Sequence, residues 1–597
     1  MVLLSIMTHL VNNTRLSLIT ALLLLSGAPL FSAPAVYELL PAQITGSRLN
    51  KPENARPAFI NTEAGPSAAP QELFNNTGSV DLMSRGPGGV TSDISIRGAN
   101  YQQVLVLLDG FKVTDPQTAH HNMDIPAPSS GLSAAVVTPG QGSSIYGSGA
   151  FGGTVNAILK HPVSEELGLS ADYSSFNTLN FSASYGNPLP GGSFSVSAGN
   201  CRSDGFRPDT DYNISSFCSS LTLGWSELVL GVTDKQFGAY DFYTPGLNLP
   251  SRERTTAYFA GFKGVIFPAD FADISGKASV RRHDDAFILD QTRPAYFSSH
   301  HISCNLDTEV NFSFKNLPLS AGIEFQLGTI DSNAIGSHQV SDLAVFTEAG
   351  FKDDAGREYS LSARADSNDR GTRMTASAAS KTQFAGGLKL SISAGSSFRD
   401  PSFTELYYKD PANTGNASLS PETAVSGDIS LLFDGGAGGK GGLSLFVRSE
   451  TNGIDWVSAS PTGPWTAMNT STAQSAGIEF TSSAALLGAE FSLNFSIIDM
   501  KKDLPSFAKY SLMFPKEQGT LKARLPFPFD TELASETTYK ERYNSSSYVF
   551  SNLRLAKKLG NFSVYVKIDN LGDMPYQEVF GLPMPGRTFG SGISASF

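Results

Sequence analysis

Two adjacent histidines, His120 and His121, stand inside a polar run that begins Asp115-Pro116-Gln117 and ends Asn122-Met123-Asp124. Imidazole and carboxylate are donors that divalent metals accept, but sequence neighbours often point apart, so the run reads first as an exposed polar loop. Asp204, Asp209 and Asp211 gather oxygen ligands in one short stretch, which suits calcium, a hard cation. A solvated acidic loop is the plainer expectation there. Cys201, Cys218 and Cys304 show no C-x-x-C spacing, so neither a zinc cluster nor a disulfide framework is signalled, and a Cys201–Cys218 bridge stays open. Gly147-Ser148-Gly149-Ala150-Phe151-Gly152 satisfies G-x-G-x-x-G, yet the segment after it is short, β-branched at Thr154, Val155 and Ile158, and stopped by His161-Pro162. The helix that a dinucleotide fold requires does not fit. No G-x-S-x-G or H-E-x-x-H occurs, so no hydrolytic constellation is present and no enzyme is expected.

The elements that would position these residues are set by composition and periodicity. Of 597 residues only 16% are charged, while 57 are Gly and 40 are Phe. Ordinary globular chains carry about 25% charged residues. A net charge of -12 without clusters of Lys and Arg excludes a nucleic-acid binder. At the start, Arg15 precedes the apolar run Leu16–Leu30 and the small residues Ala33-Pro34-Ala35, the pattern of a signal peptide over 1–35. That run is shorter than the roughly 20 residues of a spanning helix, and no longer apolar stretch comes after it. An exported chain without such helices can still cross a membrane as a closed barrel.

From 167 onward the period is two. Leu167, Leu169, Ala171 and Tyr173 alternate with Gly168, Ser170 and Asp172; Leu179, Phe181, Ala183 and Tyr185 alternate with Asn180, Ser182 and Ser184. Only strands keep such a set on one face. The other face is small and polar, so a lumen lined by Ser, Asn, Thr and Gly instead of paired charges is expected. Connections alternate between tight turns (186–192, near Trp225-Ser226-Glu227) and long loops (199–213, 237–255), as in outer-membrane barrels with short turns on one side and long loops on the other. Residues 161–597, at roughly 20 per strand with its connection, give about 22 antiparallel strands. The last of them carries Phe589, Ile593 and the terminal Phe597 on one face. A barrel of that size needs a plug.

Residues 36–160 differ. A Pro- and Asn-rich extended tail over 36–60 leads to 61–160, where Leu73–Met83 fits a short helix and Val104–Leu108 is a continuous apolar run, as in a strand covered on both faces. Asp93–Gly98 (DISIRG), Val104–Gly110 (VLVLLDG), Thr114–Gln117 and Tyr146–Asn156 resemble the plug domain of TonB-dependent outer-membrane receptors, in order and spacing. Phe398–Tyr408, Gly477–Phe480, Asp569–Leu571 and Pro583–Phe589 carry the likeness through the barrel.

The resemblance implies an all-β transmembrane barrel with an α+β plug, resident in the outer membrane as a monomer, and no required cofactor. It implies import of a metal chelate, a corrinoid such as cobalamin or a ferric siderophore, with the corrinoid favoured by modest loops; an oligosaccharide is the alternative cargo, and a barrel enzyme or passive porin the more distant ones. TonB and the inner-membrane proton-driven complex would be its partners. Glu38, Leu39, Leu40, Pro41, Ala42, Gln43, Ile44 and Thr45 lie where the family keeps its TonB box, although Pro41 departs from the usual β-branched pattern and removes a donor. Asp115, Pro116, Gln117, His120, His121 and Asn122 would form part of the ligand floor. Pro139-Gly140-Gln141 replaces the family's Arg-Gly-Pro turn, so the plug lacks a usual ion pair and must be held differently.

Overall fold

The computed structural model describes residues 37–38, 59–61, 69–75, 79–436, 439–470, 472–502, 507–510, 512–543 and 546–597. The alternating segments form the wall. β9 (Glu166–Ser174), β10 (Thr178–Leu189), β11 (Gly192–Ser203), β12 (Tyr212–Leu223), β13 (Ser226–Gly238), β14 (Arg252–Pro268), β15 (Ala272–Ile288) and β16 (Ser298–Phe314) run as successive antiparallel neighbours. The final strand, Thr588–Ser596, returns to pair with β9 and closes a barrel of 22 strands. Closure removes every edge, the condition for a sheet to sit in lipid. Leu169, Phe181, Leu230, Phe262, Ile323, Val345 and Ile593 project outward, while their sequence neighbours face the lumen. Among the described residues no helix is long and apolar enough to cross a membrane.

The segments 204–211, 239–251 and 289–297 lie together at one end of the wall, and the tight turns 190–191 and 224–225 at the other. The loops are shorter than the sequence suggested because the strands continue into them. β14, β15 and β16 have 17 residues each, against the roughly 9–11 that span lipid. Their upper turns therefore stand above the bilayer and can carry charge on both faces, as Arg281-Arg282-His283-Asp284-Asp285 does.

Inside lies the plug. Its sheet joins β1 (Tyr37–Glu38), β2 (Phe59–Asn61), β5 (Val104–Leu108), β6 (Phe111–Lys112), β7 (Leu132–Pro139) and β8 (Gly153–Leu159) in the order β1-β2-β7-β8-β5-β6. β5 is buried along its whole length. The span read as a tail, 36–60, thus contributes two short strands to this sheet. The helix expected over 73–83 is also corrected: Pro70–Phe74 is a 3-10 turn, and β3 (Val80–Ser84) pairs with β4 (Ser92–Ile96). Pairing with a neighbouring strand overrides local helix preference. After Gly152 comes β8 and not a helix, so the glycine run is no nucleotide loop. Gly147, at φ 81°, passes so close to the wall that a Cβ there would lie 2.8 Å from Arg364 Nη2.

The expectation of a lumen without paired charges is overturned. Arg97 binds Glu479 at 2.6 Å, Arg542 binds Asp81 at 2.7 Å, Arg364 binds Glu324 at 2.7 Å, and Lys112 also pairs with Glu324. All of these side chains are buried. The polar face of each strand meets the polar flank of the plug, and a charge enclosed there requires a partner. Gln141, in the altered turn, replaces a charge by neutral bonds: its amide donates to Ser393 at 3.2 Å and accepts from Ser426 at 2.8 Å. Cys201 and Cys218 are free thiols. Cys201 faces Ile214 and Cys218 faces Ser197, an offset of four residues or about 14 Å along the strand, beyond the reach of a disulfide.

Candidate functional site

At the long-loop end the plug rises to an apex over residues 115–124. Asn100 opens this region with a capping box that holds Tyr101–Gln103. The Tyr101 ring then stacks on His120, with centroids 4.0 Å apart and planes at 18°. Tyr510 meets both, at 5.5 Å and 5.8 Å, and Tyr243 approaches His120 at 6.4 Å. Tyr243 and Tyr510 come from separate loops of the wall and are half-buried. Phe297 and Tyr408, 6.5 Å apart, extend the aromatic rim. His120 Nδ1 lies 2.6 Å from Asp93, which also pairs with Arg85 at 2.8 Å. Burial outweighs Asp93 and lowers the His120 pKa, so a neutral ring faces Tyr101.

The run 115–124 is not the exposed loop expected from its polarity. Asp115, Gln117, His121, Asn122 and Asp124 are buried, because the wall supplies matching groups. Arg281 donates to Asp115 at 2.7 Å and to the His121 carbonyl at 2.8 Å. Lys235 pairs with Asp124 at 2.6 Å, and Gln117 donates to Asp285 at 2.8 Å. The Asn122 side chain accepts from the Asp115 amide at 2.8 Å and shapes the turn. From above, the helix Phe403–Tyr407 clasps the apex: the Phe403 amide donates to the Pro116 carbonyl and the Thr404 amide to that of Gln117, both at 3.0 Å. Burial would strip the proton from His121, but Asp285, Asp124 and Asp115 outweigh it and push the imidazole up to about 9. Asp115 and Asp124 are held well below the usual carboxylate range, against the cost of burial, chiefly by Arg281 and Lys235 respectively.

The six apex residues therefore lie together, whereas the three aspartates proposed for calcium do not form a cage. Asp211 is gripped through both oxygens by Arg252 at 3.1 and 2.9 Å, Asp204 accepts from Asn177, and Asp209 faces Gln291. Among the described residues no group of three ligand atoms within 4.8 Å includes any of them. The arginine beside Asp211 already neutralises the charge that calcium would need. Of the supposed box, only the backbone of Glu38 lies within the described residues; Leu39–Thr45 lie outside them. No sequence motif marks Tyr101, Tyr243, Tyr510, Arg281 or His283 for the site. The signal available for the last two was the run of five charged or titratable residues at 281–285, far denser in charge than the rest of its strand.

Between plug residues 69–89 and the lumen faces of β9–β12 a polar cavity of about 600 Å³ opens, reached also by Lys522, Glu536 and Lys567 of the opposite strands. Glu72 projects into it. Its side chain is exposed to the cavity, yet enclosure within the lumen, aided by Asp569, Glu536 and Asp172 against Lys567, raises its carboxyl above the usual carboxylate range.

Comparison with known proteins places this architecture. Residues 169–571 match the family model described as TonB dependent receptor-like, beta-barrel, and residues 61–154 match the TonB-dependent receptor plug domain. The vitamin B12 transporter BtuB of Photobacterium profundum is 22% identical over 551 residues, covering 85% of this chain and 86% of that protein. BtuB of Vibrio vulnificus strain YJ016 is 24% identical over 446 residues, 68% of each chain. Among solved structures, a mutant ferric enterobactin receptor PfeA of Pseudomonas aeruginosa with bound enterobactin superposes at a TM-score of 0.70, with 17% identity over 90% of this chain and 99% of that one. The siderophore receptor PirA of Acinetobacter baumannii gives 0.72, with 14% identity over 93% and 99%. At these identities the structural likeness is one of fold.

Proposed function

Because this chain belongs to the TonB-dependent receptors of the outer membrane, we propose that it imports a scarce metal chelate, of which a corrinoid is the first candidate and a ferric siderophore the second. The observation that carries this reading is the aromatic cluster at the apex: the rings of Tyr101, His120, Tyr243 and Tyr510 pack together where plug and loops meet, and Tyr408, against Phe297 and His301, extends it as a bowl. Flat faces of this kind take up large, partly apolar, rigid ligands, which bury ring area without losing internal freedom. The corrinoid is favoured by the two BtuB relatives, whose names state vitamin B12 transport. No covalent step is required. Cargo rests on the apex, TonB engages the segment Glu38–Thr45 by strand pairing, and the plug shifts to open a path; the cavity beside Glu72 supplies the side of the plug with least to unpack.

Purified receptor titrated with cyanocobalamin and with catecholate and hydroxamate ferric siderophores tests the reading. Nanomolar binding to one is expected, weakened about tenfold by Tyr510→Ala, the loss of one aromatic contact worth about 1.4 kcal/mol. Nanomolar binding to none of them overturns the chelate reading.

A further inference from the structure

Beneath the bowl, where plug and wall meet, a second constellation is not needed for cargo contact. His121 and Asp124 of the plug and His283 of β15 bring three potential ligand atoms within 4.8 Å of one another, all buried. His283 Nε2 lies 3.1 Å from Asp124 Oδ2, and His121 Nδ1 lies 3.7 Å from the same oxygen. Donors about 2.0–2.1 Å from a tetrahedral zinc stand about 3.3–3.4 Å apart, so the spacing is already close to that of a filled site.

We propose that this joint binds one divalent transition-metal ion of the zinc class, held by His121, Asp124 and His283, which fastens the plug apex to the barrel wall. Three further observations support it. His283 turns its other nitrogen, Nδ1, to within 3.0 Å of Asp115 Oδ2. Nδ1 makes no hydrogen bond in this orientation, but a small turn of the ring would align it with Asp115, the kind of carboxylate that orients a metal-binding imidazole, and Asp115 is itself held by Arg281 at 2.7 Å and Ser303 at 2.8 Å. On the far side of His121, Nε2 lies 3.4 Å from Asp285 Oδ2, so this imidazole has a carboxylate behind it while Nδ1 faces Asp124. Asp285 Oδ1 and Gln117 Oε1, both buried beside His121, have no hydrogen-bond partner. Two imidazoles with one carboxylate select zinc-class ions over calcium or magnesium, which take oxygen.

The test uses the full-length receptor in detergent, stripped with a chelator and then titrated with ZnCl2 against a chromophoric competitor. One ion per chain is expected. His121→Ala and His283→Ala should each weaken binding at least thirtyfold, while His338→Ala, on a ring stacked against Tyr407 in the loop region, leaves it unchanged. Hydrogen exchange across 113–125 should quicken when the ion is removed. If either variant fails to fold, the Co2+ form of the unaltered receptor is read instead: histidine-coordinated tetrahedral bands support the site, and a spectrum of aqueous Co2+ overturns it. Zinc binding that survives both substitutions also overturns it. Neither outcome depends on which cargo the bowl accepts.

Discussion

Arg281 is among the largest fully buried side chains, and it lies in a strand whose alternate residues face lipid or water. Its guanidinium ties Asp115 and the His121 carbonyl to the wall. Removing one member of a buried ion pair leaves the other enclosed and unpaired, which costs about 3–5 kcal/mol. Arg281→Met should therefore loosen the apex: hydrogen exchange over 113–125 rises by two orders of magnitude or more, while strand amides of the distant wall keep their protection. Asp115→Asn combined with Arg281→Met should recover much of that loss, because the enclosed charge is gone. Unchanged exchange in the single variant would show that the pair contributes nothing to docking. This pairing was not legible in the chain. Alternation assigns a residue to the lumen face, but Asp115 and Arg281 are 166 positions apart, and their meeting depends on how the plug is rotated within the wall. For the same reason the polarity of 115–124 suggested water when its partner is protein.

The strands themselves were legible because lipid imposes a strict rule on one face and turns separate the segments cleanly. Leu167 to Tyr173 and Phe589 to Phe597 project as the period-two pattern requires, and they close the barrel against each other. The plug was less open to this reading. Val80–Ser84 contains as much helix-compatible as strand-compatible sequence, and only the presence of Ser92–Ile96 beside it decides. The lipid face gives a direct measurement. Val345 lies in the middle of the strand His338–Lys352, outward-facing, with Ile323 and Ala365 as cross-strand neighbours. Val345→Arg places a guanidinium at mid-bilayer depth and should cost about 2–4 kcal/mol, read from urea-dependent folding into lipid vesicles. The same substitution at Val549, at the start of the strand Tyr548–Leu559 next to the upper rim, should cost about 1 kcal/mol or less. Equal costs at the two positions would contradict the placement of the membrane.

At the scale of the molecule, the plug is fastened on several sides: Arg97 to Glu479, Asp81 to Lys540 and Arg542, Asp115 to Arg281, Asp124 to Lys235, and Gln103 to Glu422. Each contact is enclosed, so breaking them together exposes charges to a lumen that does not pair them. Thermal motion alone is a poor way to open such a barrel, and cargo contacts on the apex reach only one end of the plug. On the import reading proposed above, work would be applied from the other end. Among the described residues β1 forms the edge of the plug sheet, paired on one side only through Tyr37–Asn61 and Glu38–Ile60. An edge strand is where another chain can add its own main-chain bonds, and the segment Glu38–Thr45 begins there. Deleting residues 38–45 should leave surface binding of the cargo within twofold, since the bowl is untouched. Energised uptake should fall to the level measured in cells without TonB. Uptake that persists at more than a few per cent of the intact receptor's would place the pulling site elsewhere. Loss of binding as well would instead mean that the segment supports the plug's fold, which protease resistance of the purified variant would then reveal.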